Sequence, residues 1–263
     1  MNNLDIHIVG LGNLGSSLLK GLKNLDKDLR FNLYEKDNKI REAITAEYGV
    51  SVNNELGSIE KGVLVLCIKP KDLNEFLKSN SDKISGDVLI CTVLAGIDTQ
   101  YFSKFIKNRI IRLMPNLSIK NNTGFIPYTK TYKEDYLSFL EILSGLGQIS
   151  EYEEDLFHII TAIYGSGPAW YLELSSKISE AAEELGLSKQ DSNNIVSELV
   201  KSLPSLITGE EFAETVEKIK SPKGTTEAGL NSLTKDSFDK IIFNAINSAT
   251  ERSVEISKEI NDE

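Results

Sequence analysis

Two runs in the first half of the chain, Val63-Leu64-Val65-Leu66-Cys67-Ile68 and Val88-Leu89-Ile90-Cys91-Thr92-Val93, are apolar with hardly a break. Successive side chains of a strand point to opposite faces, so such runs demand burial on both faces of a sheet. Helices on both sides of a parallel sheet meet that demand, and the flanking segments supply them. Ile6-His7-Ile8-Val9 is a short β-type run, and Leu14, Leu18, Leu19, Leu22 and Leu25 then fall at helical spacing. Phe31–Tyr34 is a second strand, Lys39–Tyr48 a helix stopped at Gly49, Asp72–Lys78 a short helix and Arg109–Leu113 a further strand. Weaker patterns place strands near Gly124–Tyr128 and Gly147–Tyr152, with a helix near Lys133–Ser144. Repeated strand–helix alternation predicts a doubly wound α/β domain over residues 1–152, with a parallel sheet.

After Glu153 the β-type runs disappear. Gly165-Ser166-Gly167-Pro168 precedes a helical pattern to Glu184, with Pro168 suited to the first turn and Gly186 to the C-terminal cap. Ser188-Lys189-Gln190-Asp191 resembles a capping box with Asp in its last place. Ser221-Pro222-Lys223-Gly224-Thr225-Thr226 opens another helix, and Phe238 to about Ile260 is the last. Residues 153–263 therefore read as an all-helical domain. It is small for an independent core, which predicts a helical interface shared by two copies.

Composition excludes several classes. With 263 residues, 40% of them hydrophobic and 26% charged, the chain is neither disordered nor larger than two modest domains. A net charge of −10 argues against nucleic-acid or anionic-membrane partners. No apolar run approaches the ~20 residues that span a bilayer. Met1-Asn2-Asn3-Leu4-Asp5 lacks the basic region of a secretion signal, so the expected location is cytoplasmic. Cys67 and Cys91 sit in apolar runs and read as reduced core residues, and no His/Cys/Asp spacing suggests a metal site. His7 reads as a packed or hydrogen-bonded strand residue. The acidic run Glu151, Glu153, Glu154, Asp155 reads as the solvated entry to a helix, and Trp170 and Tyr171 as core or interface anchors.

Gly10-Leu11-Gly12-Asn13-Leu14-Gly15 is a GxGxxG between a strand and a helix, in the first βα turn, which is the context of a dinucleotide-binding Rossmann domain. Gly10 permits the tight turn, Gly12 lets backbone approach a pyrophosphate, and Gly15 lets the helix pack close. The helix N-terminus presents free N–H groups to phosphate. Glu35, 20 residues after Gly15, is placed to accept hydrogen bonds from ribose hydroxyls and to repel a 2′-phosphate. Lys36 beside it could neutralise that phosphate, so the reading is NADH or NADPH with a lean to NADH. Lys69-Pro70, Ala95-Gly96-Ile97 and Met114-Pro115-Asn116 end three successive strands on the edge where open α/β sheets bind ligands.

Taken in order, these motifs resemble those of the pyrroline-5-carboxylate reductase family over almost the whole chain. The order runs GxGxxG, Cys67-Ile68-Lys69-Pro70, Thr92-Val93-Leu94-Ala95-Gly96-Ile97 and Met114-Pro115-Asn116. It continues with Gly165-Ser166-Gly167-Pro168-Ala169 and Ser221-Pro222-Lys223-Gly224-Thr225-Thr226-Glu227-Ala228-Gly229-Leu230. The last two are the specific ones. The resemblance implies reduction of a cyclic imine carboxylate to L-proline with a nicotinamide coenzyme, a Rossmann domain followed by an all-helical dimerisation domain, and a homodimer that larger rings can incorporate. By the same resemblance Gly10, Gly12, Asn13, Leu14 and Gly15 hold the pyrophosphate and Asn54 reaches the adenosine ribose. Lys69, Pro70, Ala95 and Asn116 line the nicotinamide half. Gly224, Thr225 and Thr226 bind substrate, with the Thr226 hydroxyl near the ring nitrogen as the catalytic contact.

The residue types suit that chemistry on their own. Ser221-Pro222 followed by Gly-Thr-Thr is a helix start whose unpaired N–H groups can clamp a carboxylate. A protonated imine is already electrophilic, so hydride transfer needs positioning more than a strong acid. Lys223 stands where the family usually has glycine, placing a Cβ where backbone was expected to come close and either adding charge to the carboxylate site or narrowing it. Leu117-Ser118 replaces the common Thr-Pro, and Thr234 replaces a residue that is often polar or acidic. These departures keep two alternatives open: a reductase of another cyclic imine carboxylate, and a coenzyme-binding regulatory paralogue without turnover. A β-hydroxyacid dehydrogenase is disfavoured, because the first lysine after Gly165-Ser166-Gly167 is Lys177, too deep in its helix.

Overall fold

The computed structural model describes residues 4–262; Met1–Asn3, part of the segment read above as lacking a basic signal region, lie outside the described residues. The first elements are β1 (Leu4–Val9), α1 (Asn13–Lys23), β2 (Leu29–Tyr34), α2 (Asn38–Tyr48), β3 (Val52–Asn53) and β4 (Val63–Leu66). They are followed by α3 (Leu73–Asn80), β5 (Leu89–Thr92), β6 (Ile110–Leu113), β7 (Gly124–Lys130), α4 (Phe139–Ser144) and β8 (Gly147–Glu151). One sheet takes all eight strands in the order β3-β2-β1-β4-β5-β6-β7-β8. The order reverses between β1 and β4, the topological switch point of a doubly wound sheet.

β4, β5 and β6 are buried at every position, as the continuous apolar runs require. Two apolar clusters pack on the sheet. One gathers Ile6, Ile8, Leu18, Leu19, Leu22 and Ile111; the other gathers Leu64, Leu66, Leu73, Leu77, Ile90 and Phe102. The alternation between clusters of Ile8 and Val9, and of Val65 and Leu66, is the period-2 pleat.

Three local expectations are revised. The sheet is not wholly parallel: β7 runs antiparallel to β6. Only a short loop with a 3-10 turn, Leu117–Asn121, joins them, and a parallel return needs a crossover of a dozen or more residues. The expected helix from Lys133 is shortened to α4, because Leu137 and Ser138 adopt positive φ of 59° and 53° and break it. β3, two residues long, carries too little pattern to be read from the sequence.

The helical part comprises α5 (Phe157–Ile160), a π-turn at Thr161–Gly165, α6 (Gly167–Glu184), α7 (Lys189–Ser202), α8 (Phe212–Ile219), α9 (Thr225–Lys235) and α10 (Phe238–Asp262). Gly186 takes φ +108° just past α6, as a C-terminal glycine should. Ser188 caps α7 by accepting the Asp191 N–H at 3.2 Å. The chain forms two compact units: Met1–Gly165 together with Ala249–Glu263, and Ser166–Ser248. The end of α10 therefore belongs to the sheet unit. There the Tyr101 hydroxyl donates to the Ile260 carbonyl at 3.2 Å and Lys104 to Asn261 at 2.9 Å. Within the second unit Tyr171, Leu172, Leu185, Phe212 and Phe243 are exposed. Large apolar side chains left at the surface in this number are what an interface with a second copy would cover. Tyr171 is thus no core residue.

Candidate active site

The glycine-rich turn follows β1 directly. Gly10 has φ +89°, and a Cβ there would lie 2.7 Å from the Cys67 carbonyl oxygen, so only glycine fits between β1 and the end of β4. At Gly15 a Cβ would meet the Gly10 carbonyl at 2.0 Å, which is the close helix–turn packing the motif needs. Gly12 differs: a Cβ there meets nothing within 4 Å, so its backbone faces open space. Gly12 also caps α1 with no side-chain hydrogen bond. The first-turn N–H groups of α1 are thereby left free of a side-chain acceptor, a ready anion site.

A cavity of about 610 Å³ opens beside this turn at the C-terminal ends of β1, β2 and β4. It brings together six of the expected residues: Gly10, Gly12, Glu35, Lys36, Asn54 and Lys69. Its size suits the adenosine half of a dinucleotide. Asn13, Leu14, Gly15, Pro70, Ala95 and Asn116 do not line it. Asn13 is exposed at the start of α1. Ala95 is half-buried after β5, next to Gly96, whose φ of +76° and close approach to Ser253 and Ile256 of α10 again require glycine. Asn116 follows β6; its Oδ1 accepts the Ser118 N–H at 2.9 Å and the Ser118 hydroxyl at 2.6 Å, and its Nδ2 donates to the Tyr164 carbonyl at 3.3 Å. Ser118, where the family commonly has proline, thus supplies two donors that hold the Asn116 side chain.

The Glu35 carboxylate spans the turn. Its Oε2 accepts the Leu11 N–H at 2.7 Å and its Oε1 the Asp37 N–H at 2.9 Å. Each oxygen keeps a lone pair for a ribose hydroxyl. Asp37 caps α2, accepting from the N–H groups of Lys39 and Ile40. Arg41, missed in the sequence, donates to the carbonyls of Glu35 and Lys36 at 2.9 and 2.8 Å and so fixes the end of β2. Its signal was available as a cation at helical spacing after Asp37, but nothing local says it turns inward. Burial pushes the Cys67 thiol, at the cavity wall, up to about 12, so it stays a thiol at neutral pH.

Ser221, Lys223, Gly224, Thr225 and Thr226 lie in the second unit. α9 starts after Gly224 without a side-chain cap, leaving its first N–H groups unclaimed by a side-chain acceptor, and Thr226 is half-buried on its first turn. Lys223 has φ +59°, and its N–H donates to Glu227 at 2.7 Å. Lys223 thus holds the left-handed backbone that glycine adopts at least cost.

The acidic run is corrected at two residues. Glu151 ends β8 and pairs there with Lys130 at 2.7 Å. Glu154 is no solvated entry residue but the ion-pair partner of Arg112, which is 1% exposed in β6. Glu154 also accepts from the Thr99 N–H and hydroxyl. Burial lowers the Arg112 pKa, and Glu154 opposes that shift. His7 is packed as expected, its Nδ1 3.4 Å from the Tyr34 hydroxyl. Among the described residues no cluster of three His, Cys, Asp or Glu is placed to hold a metal ion, and no helix is long and apolar enough to cross a membrane.

A glycine turn that opens a helix at the switch point of a doubly wound sheet, with a carboxylate at the end of the second strand, defines a dinucleotide-binding oxidoreductase fold. Residues 5–96 match the model "NADP oxidoreductase coenzyme F420-dependent", and residues 154–256 match "pyrroline-5-carboxylate reductase dimerisation". Pyrroline-5-carboxylate reductase 1 of Bacillus subtilis is 33% identical over 97% of this chain and 90% of its own length. Among solved structures, the 1-pyrroline-5-carboxylate reductase of Streptococcus pyogenes superposes with a TM-score of 0.84 at 21% identity, covering 97% of this chain and 100% of that one. The pyrroline carboxylate reductase of Plasmodium falciparum, solved with NADP bound, gives 0.82 at 24% identity over 97% and 100%. The chain belongs to the pyrroline-5-carboxylate reductase family.

Proposed function

We propose that this chain reduces 1-pyrroline-5-carboxylate to L-proline, the last step of proline biosynthesis, with a reduced nicotinamide coenzyme. One observation carries the reading: the match to the family runs through both halves of the chain, 97% of its length, and includes its dimerisation region. Residues 1–152 carry the coenzyme and residues 153–263 supply the helices that pair with a second copy, with 153–165 and 249–263 packed in the sheet unit; further assembly into a ring of dimers is the family's larger form. The cytoplasm is the expected location, where reduced coenzyme is available.

The residues fit the coenzyme, because the uncapped start of α1 and the open backbone at Gly12 make an anion cradle. The coenzyme supplies a hydride at its nicotinamide ring. Gly10, Gly12, Asn13, Leu14 and Gly15 hold the pyrophosphate, Glu35, Lys36 and Asn54 surround the adenosine ribose, and Lys69, Pro70, Ala95 and Asn116 bound the nicotinamide half. The unpaired N–H groups at the start of α9, with Ser221, Lys223, Gly224 and Thr225, clamp the substrate carboxylate. The Thr226 hydroxyl hydrogen-bonds the ring nitrogen and presents one face of the imine carbon. Of the two coenzymes NADH is favoured. Glu35 is held in place by two backbone N–H groups, and Asp37 fills the N-terminus of α2, so a 2′-phosphate would meet two carboxylates.

The test is oxidation of NADH and of NADPH by purified protein with 1-pyrroline-5-carboxylate, read by loss of reduced-nicotinamide absorbance. Saturable oxidation with NADH as the better coenzyme is expected. Coenzyme binding without oxidation would overturn the reading in favour of a regulatory paralogue, or, if another cyclic imine carboxylate is reduced, of a different substrate.

A further inference from the structure

The charge at the mouth of the cavity is arranged by a residue outside the nucleotide motif. Lys36 follows Glu35 directly, and its side chain is 80% exposed. It is the cation placed beside the ribose end of the cavity, and by itself it would favour a 2′-phosphate. Its Nζ, however, lies 3.5 Å from Oδ2 of Asp72, which approaches from the opposite wall. Asp72 stands in the 3-10 turn Pro70–Asp72 after the end of β4, and both residues line the cavity. Two further cations that line or flank this end, Arg41 and Lys83, are engaged elsewhere, and Lys69 lines the cavity after the end of β4. Arg41 is turned to the Glu35 and Lys36 carbonyls and the Asn38 side chain, and Lys83 to the Leu56 carbonyl and Asn80. Asp72 makes no side-chain cap to α3, so its carboxylate is not spent on starting that helix.

We propose that Asp72 is a coenzyme-specificity determinant: it draws Lys36 across the cavity mouth, so that a coenzyme carrying a ribose 2′-phosphate must displace one carboxylate and lie beside others. The inference rests on the coenzyme reading above and deepens it. Glu35 disfavours the phosphate from the end of β2, and Asp72 does so from the turn after β4 by occupying Lys36, the lysine that follows Glu35. A coenzyme with a free 2′-hydroxyl leaves the Lys36–Asp72 pair intact and keeps Glu35 as its hydrogen-bond acceptor. Selectivity then comes from a repulsive element as much as from an attractive one. The two residues are 36 positions apart in sequence, and only the fold makes them face each other.

The experiment reads binding of NADH and NADPH by the full-length protein, with adenosine 2′,5′-bisphosphate and 5′-AMP as probes of the ribose phosphate alone. It compares the native chain with Asp72→Asn, Asp72→Ser, Lys36→Gln and Asp72→Asn in the Lys36→Gln background. At low salt the NADPH-to-NADH affinity ratio should rise about two- to five-fold in both Asp72 variants, the size of a partly exposed charge pair. The rise should shrink at high salt and vanish in the Lys36→Gln background, as a coupled pair requires. An unchanged ratio, or a rise of equal size without Lys36, overturns the role of Asp72. Because every arm reads binding, a failure to reduce 1-pyrroline-5-carboxylate would overturn the proposed reaction and leave this result standing; absence of binding of either coenzyme overturns both.

Discussion

Replacing Glu154 by alanine removes the salt-bridge partner of a guanidinium that is 1% exposed. Two of the Arg112 nitrogens, Nε and Nη2, already lack a hydrogen-bond partner in the structure, so the loss of the third leaves the buried guanidinium with no hydrogen bond and only the more remote charge of Asp98 to offset it. Breaking a buried pair from one side costs about 3–5 kcal/mol. Two features place this case near the lower figure. Glu154 is 28% exposed, so water reaches the vacated space. The Phe157 ring, 4.7 Å from the guanidinium carbon, keeps a cation–π contact worth roughly 1 kcal/mol. A cost of about 3 kcal/mol corresponds to a fall in Tm of roughly 6–12 °C for a chain of this size. The assay is thermal and urea unfolding at one fixed protein concentration, since a dimer's stability depends on it. Arg112→Met with Glu154→Gln should recover most of the loss, because a buried pair replaced by apolar and neutral groups costs little. A Glu154→Ala cost below about 1 kcal/mol, the worth of a surface pair, would refute the reasoning. So would a double variant as unstable as the single one.

Other outcomes follow from the same geometry. Gly12→Ala should leave stability within about 1 kcal/mol, since the added methyl meets open space and the φ of −62° at Gly12 is one that alanine adopts. Coenzyme affinity should nevertheless fall, and equal binding in a titration would remove Gly12 from the phosphate site. Thr226→Ala should lower kcat by roughly 10- to 1000-fold with coenzyme affinity little changed, as for a lost positioning contact; full turnover would dismiss the hydroxyl. Lys223→Gly should relieve a left-handed backbone at φ +59° and change stability by less than about 1 kcal/mol in the stabilising direction, because relaxing the strain is offset by a more flexible unfolded chain. Clear destabilisation in urea would show that the lysine side chain holds the turn. His7 has its pKa lowered below the ordinary 6.5, chiefly by burial and against the pull of Asp5. Its contribution is therefore fully present above 6.5 and is lost as pH falls through 6.5 toward the folded-state value, where the unfolded chain takes up the proton first. His7→Gln should flatten that slope in pH-resolved unfolding, and an unaltered slope would assign it to other groups.

What the sequence determined by itself is what depends on neighbours along the chain. The GxGxxG turn, the doubly buried strands β4 and β5, the helices α1, α6 and α10 and the caps at Ser188 and Gly186 all follow from local periodicity and backbone preference. The most specific motifs also lie in continuous stretches, so the family could be read before any coordinate. The tertiary structure decided what depends on residues far apart. It reversed β7 because its connection to β6 is too short for a crossover. It folded the end of α10 back onto the sheet unit, against Gly96 and Tyr101. It buried Arg112 opposite Glu154, 42 residues away, a pairing that an arginine among isoleucines and a glutamate in an acidic run do not announce. It set Asp72 across the cavity from Lys36. A charge carries no periodicity that names its partner, and electrostatic energy depends on distance in space, which only the closed chain supplies.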